Sequence, residues 1–146
     1  MESAFTIRPA VLADANRMEA CAARAYADVL SRLDGLPDVV GGMAQELAEN
    51  SGLIAEHGQE LAGFVIFKDM PDAVKVANLA CNPAFAGLGV ARRLLDGVAV
   101  IARMAGKGRL DLVTHAGMTE TQAFYRHLGW RETGRAGQGV FFSLPL

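Results

Sequence analysis

The residues best suited to chemistry lie between Asn78 and Leu95. A short apolar run, Asn78-Leu79-Ala80-Cys81, breaks at Asn82-Pro83. The small-residue turn Ala86-Gly87-Leu88-Gly89-Val90-Ala91 follows, and Arg92-Arg93-Leu94-Leu95 opens a helix. The first N–H groups of a helix have no partner inside it, and the aligned peptide dipoles make that end attractive to anions. Gly87 and Gly89 carry no Cβ that would hold a phosphate away from those donors. The stretch therefore predicts a site for a phosphorylated ligand. Two known patterns fit it badly. A dinucleotide site wants a third glycine where Arg92 stands, and no clear acidic strand end follows about 20 residues later. A P-loop wants Gly-Lys followed by Ser or Thr, which is absent. An ordinary glycine-rich connection would read the same way taken alone.

The elements that must position this turn follow from periodicity. Ala4 to Arg8 alternates as a half-buried strand does, and Pro9 ends it. From Asp14, a plausible N-cap, Met18, Cys21, Ala22, Ala25, Val29 and Leu33 fall at helical steps until Asp34-Gly35. A shorter helix is expected from about Asp38 to Glu49, with Val39, Val40, Met43 and Leu47 inward. Gly41-Gly42 weakens it by about 1 kcal/mol per glycine, which reads either as a mobile segment over a site or simply as a poor helix. Ser51–Glu56 and Leu61–Lys68 form a hairpin around Gly58, the second strand being apolar on both faces and hence central. His57 at that turn reads as solvated surface. Val74–Cys81 is a longer strand leading into the glycine turn. The helix beyond it puts Val90, Leu94, Val98, Ile101 and Ala105 on one stripe and ends at Gly106-Lys107-Gly108. Leu110–Thr114 is a strand parallel to the one before the turn. Thr119 with Gln122 looks like a capping box for a helix running to Gly129. Trp130–Arg135 and Gly139–Leu144 close the chain as a hairpin.

Two motifs resemble those of the GNAT superfamily of acyl-CoA-dependent N-acyltransferases. The first is the turn itself. In the family, Gln or Arg, two free positions, Gly, a free position and then Gly or Ala follow a strand that ends in a proline step, as at Cys81-Asn82-Pro83. Here Ala86 stands where Gln or Arg is usual, which removes a side-chain contact and spares the backbone donors. The second is Phe124-Tyr125-Arg126-His127-Leu128-Gly129-Trp130, an aromatic pair followed by a Gly-aromatic step. Upstream, Thr114-His115-Ala116-Gly117-Met118-Thr119-Glu120-Thr121 is similar to a run ending Met-Thr-Glu-Asn in a subset of the family, with Thr121 in the place of Asn.

The resemblance spans nearly the whole chain and is strongest from Asn78 onward. It implies an α/β (α+β) fold with a mixed central sheet of about seven strands flanked by about four helices, in the order β-α-α-β-β-β-α-β-α-β-β. It implies acetyl-CoA as acyl donor, held by the main chain of Leu79, Ala80 and Cys81, by Ala86, Gly87, Leu88, Gly89, Val90, Ala91 and Arg92, and by Thr121 and Tyr125. The N–H of Ala80 or a neighbour would polarise the thioester carbonyl, and Tyr125 would protonate the departing thiolate. Tyr125 also reads as a core tyrosine. The acceptor would be a primary amine of a small molecule or peptide, walled by Tyr26, Leu30, Leu36, Val39 and Asn78. Relatives often place a Glu on the fourth strand as base. Lys75, Val76, Ala77 and Asn78 occupy that strand here, so Asn78 is expected to hold a water or orient the acceptor. His115 is a candidate base, and also reads as a polar loop histidine; the alternative is an amine that enters as its uncharged minority form. A catalytically weak acyl-CoA-binding sensor of the same fold is the alternative, and a dinucleotide-binding domain a third. Many relatives dimerise, so a homodimer is open to this chain, although Phe141, Phe142 and Leu144 serve equally as core.

Composition bounds these readings. The chain of 146 residues suits one domain with a largely aliphatic core. A net charge of −2 gives no support for a nucleic-acid partner. Two cysteines, Cys21 and Cys81, make no disulfide framework, and no Cys/His cluster has metal spacing, so neither a metal nor an oxidising compartment is expected. No apolar run reaches membrane-spanning length and no signal-peptide pattern opens the chain, so a cytoplasmic location is expected.

Overall fold

A computed structural model of the chain describes residues 5–33 and 38–146. Strands β1 (Thr6–Pro9), β2 (Ser51–His57), β3 (Glu60–Asp69), β4 (Ala73–Cys81), β5 (Arg109–His115), β6 (Arg131–Ala136) and β7 (Gly139–Pro145) join helices α1 (Ala15–Arg32), α2 (Met43–Glu49), α3 (Val90–Met104) and α4 (Thr119–His127). The strands make one sheet in the order β1-β2-β3-β4-β5-β7-β6. Every neighbouring pair is antiparallel except β4 and β5, which are parallel and connected through α3. The mixed sheet, the four helices and the element order are those expected.

The sheet separates two apolar clusters. On one side Val65 and Phe67 of β3 pack with Val90, Leu94, Val98 and Ala102 of α3 and with Tyr125, Trp130 and Phe142. On the other, Phe64 and Ile66 pack with Met18, Cys21 and Ala22 of α1 and Met43 of α2. β3 is buried from Leu61 to Phe67, as a run apolar on both faces requires. Burying each Val, Leu, Ile or Phe contributes about 1.5–3 kcal/mol relative to leaving it exposed.

Several boundaries differ from the periodic reading. α2 starts at Met43, because Gly42 takes φ +74° and sits ahead of the helix, not within it. Asp38 accepts the N–H groups of Val40 and Gly41 and makes that preceding segment a turn. Ile101 is 39% exposed at the margin of the α3 stripe, whose inner side also includes Leu95 and Ala99, and Ala105 lies past the helix end. The expected stop at Asp34-Gly35 lies outside the described residues, as does Leu36.

Asp14 does not cap α1 with its side chain. Its carboxylate accepts the Val11 N–H at 2.7 Å and is gripped by Arg8 at 2.9 Å and Arg17 at 3.1 Å. The same arginines hold Glu56 at 2.8 and 2.7 Å, so the cluster fastens β1, α1 and β2. The hydrogen bond from Arg8 pulls the Asp14 carboxyl down to about 2 despite its burial.

Candidate active site

One extra residue opens the site. Along β3 and β4, Ile66 faces Asn78 and the next pair is Phe67 with Val76, so Ala77 is a bulge in β4. A bulge bends its strand and sharpens its twist. The parallel pairing with β5 accordingly covers only Ala73–Val76 against Arg109–Leu112, and beyond it the strands part. A cavity of about 790 Å³ occupies the gap, lined by Asn78–Cys81, Thr114, His115, Thr121 and Tyr125 among others.

Ladder alternation decides which main-chain groups face that gap. Asn82 N–H donates to Ala62 C=O at 2.8 Å. In an antiparallel pair bonded positions alternate, so Ala80 turns its N–H and C=O toward Phe64 of β3. Leu79 and Cys81 present theirs to the gap. Of the three residues whose main chain was expected to line the gap, Leu79 and Cys81 do so and Ala80 faces β3 instead.

At the mouth of the gap the chain turns through a short 3-10 stretch, Pro83–Phe85. Asn82 is buried there, accepting from Ala84 N–H at 3.0 Å and donating to Leu61 C=O at 3.3 Å, which pins the strand end to β3. Gly87 and Gly89 take φ +80° and +77°, in the left-handed region that side chains with a Cβ avoid. Gly89 is the N-cap of α3 with no side-chain cap, and residues 86–89 and Arg92 are exposed, so the first N–H groups of α3 open outward. Arg93 is occupied, donating to Phe5 C=O at 3.1 Å and lying 4.7 Å from its ring centroid. Gly63 lets the start of α3 approach: a Cβ there would meet Ala80 C=O at 2.8 Å and Val90 at 2.9 Å.

Tyr125 enters from α4. Phe124 and Trp130 pack edge-on to its ring with centroids 5.4 Å away, and Phe142 lies at 6.1 Å. Burial raises its phenol above the ordinary tyrosine range, so it stays protonated near neutral pH. Burial likewise pushes the Cys81 thiol to about 11, partly offset by the Ala91 N–H, and Cys21 to about 12. Neither cysteine is a thiolate at neutral pH.

Asn78 is a three-way tie. Its Nδ2 donates to Val39 C=O at 2.9 Å, and its Oδ1 accepts from the Tyr26 hydroxyl at 2.7 Å. The same hydroxyl lies 2.8 Å from Leu79 C=O, so one proton is shared between two acceptors. Asn78 thus joins α1, the segment before α2 and β4, and Tyr26 and Val39 line the cavity beside it. Leu30 does not line it and is 43% exposed.

His115 lines the cavity, but not as a free base. Its Nδ1 accepts the Gly117 N–H at 2.8 Å, so the neutral ring carries its proton on Nε2. That nitrogen is buried without a hydrogen-bond partner. The capping box expected at Thr119 is also absent: Gln122 donates instead to the carbonyls of His115 and Ala116, both at 3.1 Å, and secures the end of β5. Gln122, Gly63 and the bulge at Ala77 were not legible as site features. Asn82 carried a signal, an Asn directly ahead of Pro.

Residues 23–130 match the family described as the acetyltransferase (GNAT) family, and the chain belongs to it and is an acyltransferase. Over 75 residues, 51% of this chain, it is 35% identical to mouse N-alpha-acetyltransferase 80, and the match spans only 22% of that protein's length. The PaiA N-acetyltransferase of Thermoplasma acidophilum, solved in complex with coenzyme A, has a TM-score of 0.87 at 14% identity, covering 99% of this chain and 100% of that one. An acetyltransferase from Thermus thermophilus aligns over 100% of both chains with a TM-score of 0.80 and 19% identity. These two likenesses establish the fold alone.

Proposed function

We propose that this chain moves an acetyl group from acetyl-CoA to a primary amine, on a small molecule or a peptide, by direct attack. The observation that carries the reading is the parted strand pair: main-chain groups of β4 and a buried phenol both line a gap that ends at an uncapped helix N-terminus. The uncrowded, Cβ-free turn at Gly87 and Gly89 suits a diphosphate. When bound, acetyl-CoA supplies an activated acyl group on a polyamide arm.

The chain's own groups then divide the work. Those N–H groups at the start of α3 that open outward neutralise phosphate charge, while the Ala91 N–H is turned to the Cys81 thiol. The main chain of Leu79 and Cys81 pairs with the amide arm as an added strand would, and Thr121 offers a hydroxyl to it. A gap-facing N–H polarises the carbonyl under attack, a contribution of roughly 3–4 kcal/mol when such a donor is lost. Tyr125 holds a proton for the departing thiolate. Cys81 remains a thiol, which favours transfer straight to the amine without an acyl-cysteine. β4 carries no carboxylate and Nδ1 of His115 is taken by the Gly117 N–H, so the proton the amine loses passes to water or to a carboxylate elsewhere on the cavity wall, where Asp38, Glu46 and Glu120 stand. Two free thiols fit a reducing compartment, so a cytoplasmic location belongs to the same proposal.

Calorimetry with acetyl-CoA and CoA-thiol release across an amine panel test the reading. Saturable heat and acceptor-dependent thiol are expected; no heat with acetyl-CoA sinks it. The lack of a carboxylate on β4 also favours a second reading, a sensor that binds acetyl-CoA without turnover. Heat without thiol release from any amine would select that one.

A further inference from the structure

Beyond the gap, the side of the sheet facing α1 is left without a helix over β5, β7 and β6 among the described residues. Val113 and Phe141, paired across β5 and β7, are 44% and 36% exposed there. A second cavity of about 450 Å³ lies on this face, and Lys75, Leu112 and Val113 line both it and the gap.

Strand register draws a line of polar residues across the face. Lys68 opposes Lys75, Lys75 opposes Asp111, Asp111 opposes Ser143 and Ser143 opposes Arg131. Directly opposed residues project to the same side. Arg109, two residues back on β5, reaches along the strand to Asp111 at 3.0 Å and Ser143 also donates to it, so the single carboxylate of the row is occupied. Lys68, Lys75 and Arg131 have no salt-bridge partner among the described residues. Neighbouring acids serve elsewhere: Asp69 pairs with Lys107, and Glu132 with Arg126 and Arg135. Asp38, Glu46 and Glu120 line the gap, and none reaches these lysines as a salt bridge. Two lysines set directly opposite one another destabilise a strand pair. A row of three unpaired cations and one spent carboxylate stands out in a chain of net charge −2.

The row is not the phosphate cradle. Lys75 and the glycine turn flank opposite ends of β4, about 20 Å of extended chain apart. Five strands about 4.8 Å apart make the row about 19 Å wide, the length of about six extended residues and far more than a free amino acid. It begins about 10 Å along β4 from Asn78.

We infer that this face docks an acidic peptide, the downstream part of an acceptor whose terminal amine enters the gap. The inference rests on the gap being the acyl-transfer site. The test uses heptapeptides with a free amino terminus and a C-terminal fluorophore, carrying Asp and Glu, their amide counterparts or Lys after the first residue. Each is titrated by anisotropy against the full chain with CoA present. The acidic peptide should bind roughly tenfold tighter than its amide counterpart, with the advantage shrinking in high salt. Arg131→Glu, which lines neither cavity, should erase most of that advantage while leaving acetyl-CoA affinity unchanged. Equal binding of acidic and amide peptides overturns the inference, as does a small aminocarboxylate competing as well as the acidic peptide. Thiol release with no charge preference overturns it while sparing the acyl-transfer reading. Charge-selective binding without acetyl-CoA heat does the reverse.

Discussion

β4 serves two ends of one site with different materials. Past Cys81 the groups offered to a ligand are main-chain donors, contributed by one continuous stretch and set by local backbone geometry at Gly87 and Gly89. Around Asn78 the wall is made of side chains and carbonyls drawn from α1, the segment before α2 and β4, meeting through three hydrogen bonds. A site built of backbone survives sequence change, which is why Ala86 in the place of Gln or Arg leaves the turn intact. A site built of side chains is particular to its sequence, and in the proposed reaction this is the end that meets the acceptor.

The sharpest way to break this contrast is at the turn. In Gly89→Tyr a side chain must sit at φ +77° over the open end of α3, where there is room for it to fold but not for a phosphate beside it. Acetyl-CoA affinity should fall by roughly 100-fold in calorimetry with the far-UV spectrum unchanged. Unaltered affinity would show that the backbone end is elsewhere.

Tyr125→Phe should lower kcat roughly 10- to 100-fold and leave acetyl-CoA affinity within about twofold, a moderate loss because a thiolate is a good leaving group. Since burial raises the phenol above its ordinary value, the acid form persists to higher pH than in a free tyrosine. The wild-type rate should hold as pH passes about 10, the ordinary tyrosine value, where an exposed tyrosine would already be losing its proton. A fall there would remove Tyr125 as the acid.

The side-chain end should respond more gently. Asn78→Ala cuts the ties to Tyr26 and Val39, each worth about 1 kcal/mol. The acceptor KM should rise about fivefold with acetyl-CoA affinity unchanged. Equal damage to both substrates would mean that Asn78 supports β4 as a whole and that the two ends are not separable.

The smallest effect on the site should come from Asp14→Asn, far from either end. Asp14 has its folded pKa lowered to about 2, against an unfolded value near 3.8. Its contribution is therefore present above about pH 4 and is lost as pH falls toward 2. The variant should lose about 1–2 kcal/mol at neutral pH in urea melts, screened because Arg8 and Arg17 are each about a third exposed. It should also show a flatter acid limb, with kcat/KM unchanged.

Much of the fold was legible because its signals are local. Strand alternation, the hairpin at Gly58 and the glycine turn ahead of α3 depend on neighbours within a few residues. Where a side chain took a partner other than the one its motif implies, local signals misled. Asp14 has cap chemistry and instead pairs with Arg8 and Arg17, the two arginines that also hold Glu56 of β2. Gln122 has the capping-box spacing and instead holds β5. His115 has the chemistry of a base, yet its Nδ1 is taken by the Gly117 N–H.

By itself the sequence settled the order of elements, the glycine turn ahead of α3 and the aromatic pair at Phe124 and Tyr125, because periodicity and φ preference belong to residues and their near neighbours. Only the tertiary structure decided that Ala77 is the bulge that parts β4 from β5, and that Leu79 and Cys81, not Ala80, face the opening. Register is a property of two strands at once, and a single residue's insertion reverses which groups point inward.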